Sequence, residues 1–167
     1  MIRDEELNRL VRYAQGMGVS VHFKPYVKNS HTEAEWAVDG SEITIFTRSN
    51  CSKIEKVFSL IHELGHHKGF INNGRKLNPK YIEALEELDS EESSKKNRKL
   101  VLDTEIGDMQ YWEEVYRDTN CQFNIKMLDK QKELDAWTYE FYYETGKDPT
   151  KKEKRLKKAE LRKKYGF

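Results

Sequence analysis

Apolar positions recur along this chain with two different periods. From Asp4 to Gln15, Leu7, Leu10, Val11 and Ala14 fall on one side of a helix, and Gly16 and Gly18 end it. Val19 to Phe23 alternates instead, with Val19, Val21 and Phe23 expected to face inward, as in a half-buried strand. Lys24 to Thr32 reads as a loop. Ala34 to Val38 and Glu42 to Phe46 then read as two short strands around the Asp39-Gly40 turn, with Ile43 and Ile45 on a shared face. A polar link, Thr47 to Ser52, leads into a second helical pattern with Ile54, Val57, Phe58 and Ile61 on its apolar side. Ser52 and Glu55 have the spacing of a capping box at its start, and Gly69 is the expected stop.

The second half is helical in pattern and more polar. Asn72-Asn73-Gly74 marks a turn, Tyr81 to Leu88 a short acidic helix, and Asp89 to Asn97, with no apolar residue, a mobile loop. Leu100 to Tyr116 keeps helical spacing at Leu102, Ile106, Met109, Trp112 and Val115, with Gly107 as an interruption. Leu128 to Glu144 carries Leu134, Trp137, Tyr139, Phe141 and Tyr142, a large aromatic content for one helix. Gly146 closes it, and Asp148-Pro149-Thr150 opens a basic helix over Lys151–Lys164. The expected fold is therefore α+β: a small antiparallel sheet packed on helices, with the helix through His62 and His66 at its centre. One body over 1–146 would contain an inserted helical segment at about 78–120, followed by a basic C-terminal helix over 147–167. There is no internal repeat.

Composition narrows the class. With 167 residues, 35% of them charged and 37% apolar, the chain can build a modest core of its own. No apolar run approaches the roughly 20 residues that cross a bilayer, which argues against membrane partners. Arg3, Asp4, Glu5 and Glu6 do not open a signal peptide. Cys51 and Cys121 form no C-x-x-C pair, and as buried or spare thiols they fit a reduced, cytoplasmic setting. The net charge of +1 conceals ten Lys/Arg against three Asp/Glu from Lys147 onward. A solvated helix accounts for such a tail, while a phosphate backbone or an acidic protein partner is the sharper reading of Lys147–Lys164.

The chemistry concentrates in Ile61-His62-Glu63-Leu64-Gly65-His66-His67. Histidines four apart stand one turn above each other on a helix and can occupy adjacent corners of one tetrahedral zinc. Glu63 between them is placed as a general base toward water activated at that metal. Two histidines beside an acid by chance is the bland alternative, and the apolar lead-in, which puts them at the edge of a core-facing stripe, tells against it. Gly65 leaves room beside the ligands. Zinc needs a third protein ligand, and no histidine follows His67. Acidic candidates lie downstream, above all Glu133 and Asp135, which are two apart on a helix and so cannot both face the metal. Asp103, Glu105 and Asp108 are rivals, although a solvated helix face explains them as well.

The remaining polar residues have ordinary readings. His67 is expected exposed or beside the ligands, and His22 and His31 structural, with His31 a possible donor to a transition state. Tyr139 and Tyr142 read as core with hydroxyls that could orient a carbonyl, and Trp112 and Trp137 as core anchors.

The series strand Glu42–Phe46, helix with His62-Glu63-Leu64-Gly65-His66, and later helix with Glu133-x-Asp135-Ala136 resembles the ImmA/IrrE family of metallopeptidases. Its second motif, E-x-E-A-N-x-F-A, is matched by Glu133, Asp135, Ala136 and the aromatic Tyr139. Trp137 stands in place of its asparagine, Glu140 in place of its last alanine, and its leucine-proline end is absent. The likeness covers roughly residues 34–70 and 130–142. It implies a zinc endopeptidase with His62, His66 and Glu133 as ligands and Glu63 as base, acting on a protein substrate such as a transcriptional repressor of a phage or mobile element. The alternative from another class is a regulatory binding module that keeps the metallopeptidase fold without catalysis.

Overall fold

The computed structural model describes residues 4–26, 34–48, 51–87 and 93–167. Most of the expected loop before the second strand, including His31, lies outside them, as do Ser49–Asn50 and Leu88–Glu92. The elements are α1 (Asp4–Gly16), β1 (Ser20–Pro25), β2 (Ala34–Trp36), β3 (Glu42–Thr47), α2 (Lys53–Asn72), α3 (Pro79–Glu86), α4 (Lys95–Asp108), α5 (Trp112–Asp118), α6 (Ile125–Thr145) and α7 (Lys151–Tyr165), with one 3₁₀ turn at Met109–Tyr111. The fold is α+β, a small sheet packed on helices. No helix among the described residues is long and apolar enough to cross a membrane.

The chain divides into two compact units, Met1–Lys76 with Asp108–Phe123 and Leu77–Gly107 with Asn124–Phe167. The stretch read as an insertion at about 78–120 is thus shared by both, and the basic segment from 147 belongs to the second. In the first unit the strand order is β1-β3-β2. β2 and β3 pair antiparallel around the Asp39-Gly40 turn, as expected, with Glu35 opposite Thr44. β1 pairs parallel to β3, Val21 opposite Ile43, so the sheet is mixed rather than purely antiparallel. Among the described residues β1 pairs with β3 alone, and Phe23, expected inward, is 42% exposed. Val19 before β1 and Ile43 and Ile45 on β3 fill the core, with Leu10 and Ala14 of α1 and Val57, Leu60, Ile61 and Leu64 of α2.

Helix α2 starts as its sequence predicts. Ser52 accepts from the Glu55 amide, and the Glu55 carboxylate accepts from the Ser52 amide at 2.6 Å. It does not stop at Gly69 but runs to Asn72, because Gly69 serves a packing contact inside the helix. α4 likewise begins at Lys95, within the expected loop, and continues through Gly107 to Asp108, so the break in the Leu100–Tyr116 pattern follows Asp108.

In the second unit Tyr81, Ala84 and Val101 form a small core with Leu85 and Leu100. The Arg98 guanidinium donates from Nε to the Tyr143 carbonyl at 3.1 Å. Helix α7 packs along α6, and Leu161 is fully buried. The basic segment is therefore not a free solvated helix. Its Thr150/Glu153 capping box and left-handed Gly166 at the far end give it both boundaries.

Candidate metal centre

His62, Gly65, His66 and Gly69 fall at i, i+3, i+4 and i+7, so α2 presents all four on one face. The two imidazoles stand 4.8 Å apart between ring centres, and their Nε2 atoms approach to 3.0 Å. Two zinc–nitrogen bonds of about 2.0–2.1 Å at a tetrahedral angle would put the nitrogens about 3.3 Å apart. The pair is within a few tenths of an ångström of that spacing.

The glycines explain what lies against this face. A Cβ on Gly65 would meet the Trp112 ring at 2.9 Å and the Asp108 carbonyl oxygen at 3.2 Å; one on Gly69 would overlap Asp108 Oδ1. Only a bare backbone admits them. Asp108 Oδ2 thereby reaches His66 Nδ1 at 2.8 Å, and Trp112 packs its ring 5.3 Å from that of His62. With the His66 proton held on Nδ1 by a carboxylate, the Nε2 lone pair is directed toward His62. This is the carboxylate–histidine arrangement that fixes a ligand's tautomer in metal sites.

Glu105 lies one turn before Asp108 on the same side of α4. The ligand atoms of His62, His66 and Glu105 all lie within 4.8 Å of one another, and this group could hold a metal ion. Two imidazole nitrogens and one carboxylate oxygen are a donor set suited to zinc. Glu105 accepts from the Tyr81 hydroxyl at 3.1 Å and is 5% exposed. The solvated-face reading therefore fails for Glu105 and for half-buried Asp108; it holds for exposed Asp103, paired with Lys99. What the sequence did offer for Asp108 was the Gly-x-x-x-Gly strip beside the histidines, a face cleared for close approach.

The other candidates are placed as follows. Glu63 is 7% exposed on α2 between the two histidines. Glu133 accepts from Lys164 Nζ and from the Tyr165 hydroxyl at 3.0 Å, and Lys164 first, then Tyr165, holds its pKa below the usual carboxylate value. Asp135 accepts from Gln131 Nε2 at 2.8 Å. His67, expected exposed or near the ligands, is fully buried: Trp36 donates to its Nδ1 at 3.3 Å, Phe70 flanks it, and burial lowers its pKa. His22 is exposed beside Glu42. Cys121 is buried against Thr119 and Cys51 half-buried, and neither forms a disulfide. Trp112 is 1% exposed, while Trp137, Tyr139 and Tyr142 are half-buried. No family model, curated protein or solved structure matches the chain.

Proposed function

We propose that the chain is a zinc-dependent endopeptidase of the ImmA/IrrE type that cleaves a regulatory protein, such as a repressor, in the cytoplasm. One observation carries this reading: two α2 imidazoles with Nε2 atoms 3.0 Å apart, one of them held at Nδ1 by Asp108, bracketing a buried acid in the order His-Glu-x-x-His.

In this reading His62, His66 and Glu105 hold the metal, with Glu105 in the place that the family resemblance gives to Glu133. The metal, when bound, supplies a Lewis acid that polarises an amide carbonyl and acidifies water beside it. Glu63 takes a proton from the attacking water onto its carboxylate. It returns that proton to the amide nitrogen as the C–N bond breaks, so the leaving group departs as a neutral amine. Asp108 keeps the His66 proton on Nδ1 throughout, and Tyr81 orients the Glu105 carboxylate.

The test compares three variants in zinc titration and peptide cleavage. Glu63→Gln should keep zinc affinity and fold but lose cleavage by at least about 100-fold, the scale of a missing general base. Glu105→Ala should weaken zinc binding strongly, while Glu133→Ala should leave it near wild type. The reverse order of the last two would restore Glu133 as the ligand. A wild type that cleaves no peptide yet binds a partner protein would turn the reading to a regulatory module.

A further inference from the structure

Helix α7 carries nine Lys/Arg and two Glu, and it segregates them. Lys151, Arg155, Lys158 and Arg162 are spaced four, three and four apart, so they form one stripe down a flank of the helix. At about 100° per residue, Glu153 and Glu160 lie on the opposite flank. There Glu153 caps the helix and Glu160 takes Lys157 at 2.9 Å. All four stripe cations are exposed and have no acidic partner among the described residues. Lys130 of α6 adds a fifth charge. Burial lowers its pKa, and Arg162 and Lys158 press in the same direction, as neighbouring like charges do.

An ordinary solvated helix intersperses opposite charges at i, i+4, whereas this stripe sums them. Three partners could use it. A membrane surface needs an apolar face on the same helix, but Leu161 is buried in the fold and Leu156 is left as the one large exposed apolar side chain of α7. An acidic protein needs a cluster of aromatic or aliphatic anchors within the contact. Beside the stripe the exposed large apolar side chains are Leu156 and Phe167, the latter with Lys130 Nζ 4.8 Å from its ring centre, and they form no such cluster. A phosphate backbone needs only cations in line. From Lys151 to Arg162 the helix rises about 16 Å, which spans about five phosphates of one duplex strand at 3.4 Å each.

We propose that this flank of α7 docks on the phosphate backbone of a nucleic-acid duplex, without sequence preference, through Lys151, Arg155, Lys158 and Arg162. The surface stands apart from the metal reading and does not depend on it.

The test measures binding of the full chain to two labelled DNA duplexes of unrelated sequence by fluorescence anisotropy. Four phosphate contacts predict a slope of log affinity on log salt of about −3.6, or about 150-fold weaker binding between 50 and 200 mM salt, equal for both sequences. Arg155→Ala with Arg162→Ala should cut that salt effect to about 12-fold. Arg155→Lys with Arg162→Lys should retain it, and Lys96→Ala, a charge removed elsewhere, should change nothing. Helicity measured by circular dichroism separates lost contacts from lost folding. The proposal is overturned by absent or salt-independent binding, or by equal loss with Lys96→Ala. Tighter binding to single strands, to phosphatidylserine–phosphatidylcholine vesicles or to polyglutamate than to duplex would overturn it as well.

Discussion

Asp108 makes three contacts within one helical turn of α2: its carboxylate holds His66 Nδ1, its Oδ1 rests where a side chain on Gly69 would be, and its carbonyl lies over Gly65. A neutral side chain of the same shape would keep the packing and remove the charge that fixes the His66 tautomer. Asp108→Asn is therefore expected to weaken zinc binding by about 10–100-fold with the fold intact, the usual scale for a residue behind a ligand. Calorimetric zinc titration, checked by circular dichroism, measures it. Unchanged affinity would mean that the 2.8 Å bond orients nothing. His67, beside His66 in sequence, has a different task. Its imidazole is closed in with Trp36 and Phe70, and Gly40, buried at φ +74°, leaves room for them. Neighbouring histidines on one helix thus face His62 with Asp108 on one side and an aromatic core on the other, because about 100° separates successive side chains.

Among the elements, α1, α2 and α5 are tied by a polar cluster at the edge of their packing. The Tyr13 hydroxyl donates to Asp118 Oδ2 at 2.6 Å, and Lys68 reaches Asp118 at 3.0 Å and Glu114. Burial works against the Lys68 charge, yet hydrogen bonds to Glu114, Tyr13 and Asp118 together raise its pKa. The Tyr13 bond first, then Lys68, lowers the pKa of Asp118 below its ordinary 3.8. A depressed carboxylate contributes stability above its unfolded-state pKa and loses it as pH falls through the folded one. Asp118→Asn should accordingly be less stable than wild type at neutral pH, with the difference shrinking below about pH 4. Urea unfolding at several pH values reads this; a difference that grows in acid would reverse the sign. Exposure of the Asp118 side chain keeps the effect small.

A second element-scale expectation concerns α7. Leu161 is fully buried where α7 packs on α6. Leu161→Ala should cost about 2–5 kcal/mol, the range for truncating a buried leucine, measured by urea unfolding. A loss under about 1 kcal/mol would show that α7 adds little to its unit.

For the whole molecule, the decisive quantity is metal content. Purified protein should carry one zinc per chain, and zinc at about 100 times its Kd should add about 2.7 kcal/mol of stability, reversed by a chelator. Thermal melts with elemental analysis test this, and a chain with neither zinc nor a thermal response to it has no such site. The formal charge of +1 gives no guide to its behaviour. The surplus of cations lies from Lys147 onward, so charge-driven contacts should depend on that segment and on salt far more than on net charge.

Local pattern by itself determined α1, the β2–β3 hairpin, the capped start of α2, the helices α6 and α7, and the two histidines on one face with Glu63 between them. Each of these follows from periodicity, a cap or a turn within a few residues, information that a linear sequence carries intact. The third member of the histidine cluster, Glu105, and the Asp108 behind His66 were decided only by tertiary structure. Both looked like a solvated helix face, because α4 shows few apolar positions and the buried contacts that cover it come from residues distant along the chain. Gly69 misled for the same reason: a glycine in sequence marks either a helix stop or a close approach, and the approach of Asp108 is known only once the chain is folded, whereas Gly107 sits inside α4 with open space beside it. The parallel seating of β1 beside β3, the aromatic enclosure of His67 and the bonds of Glu133 to Lys164 and Tyr165 belong to that second class. They join positions whose separation no local period records.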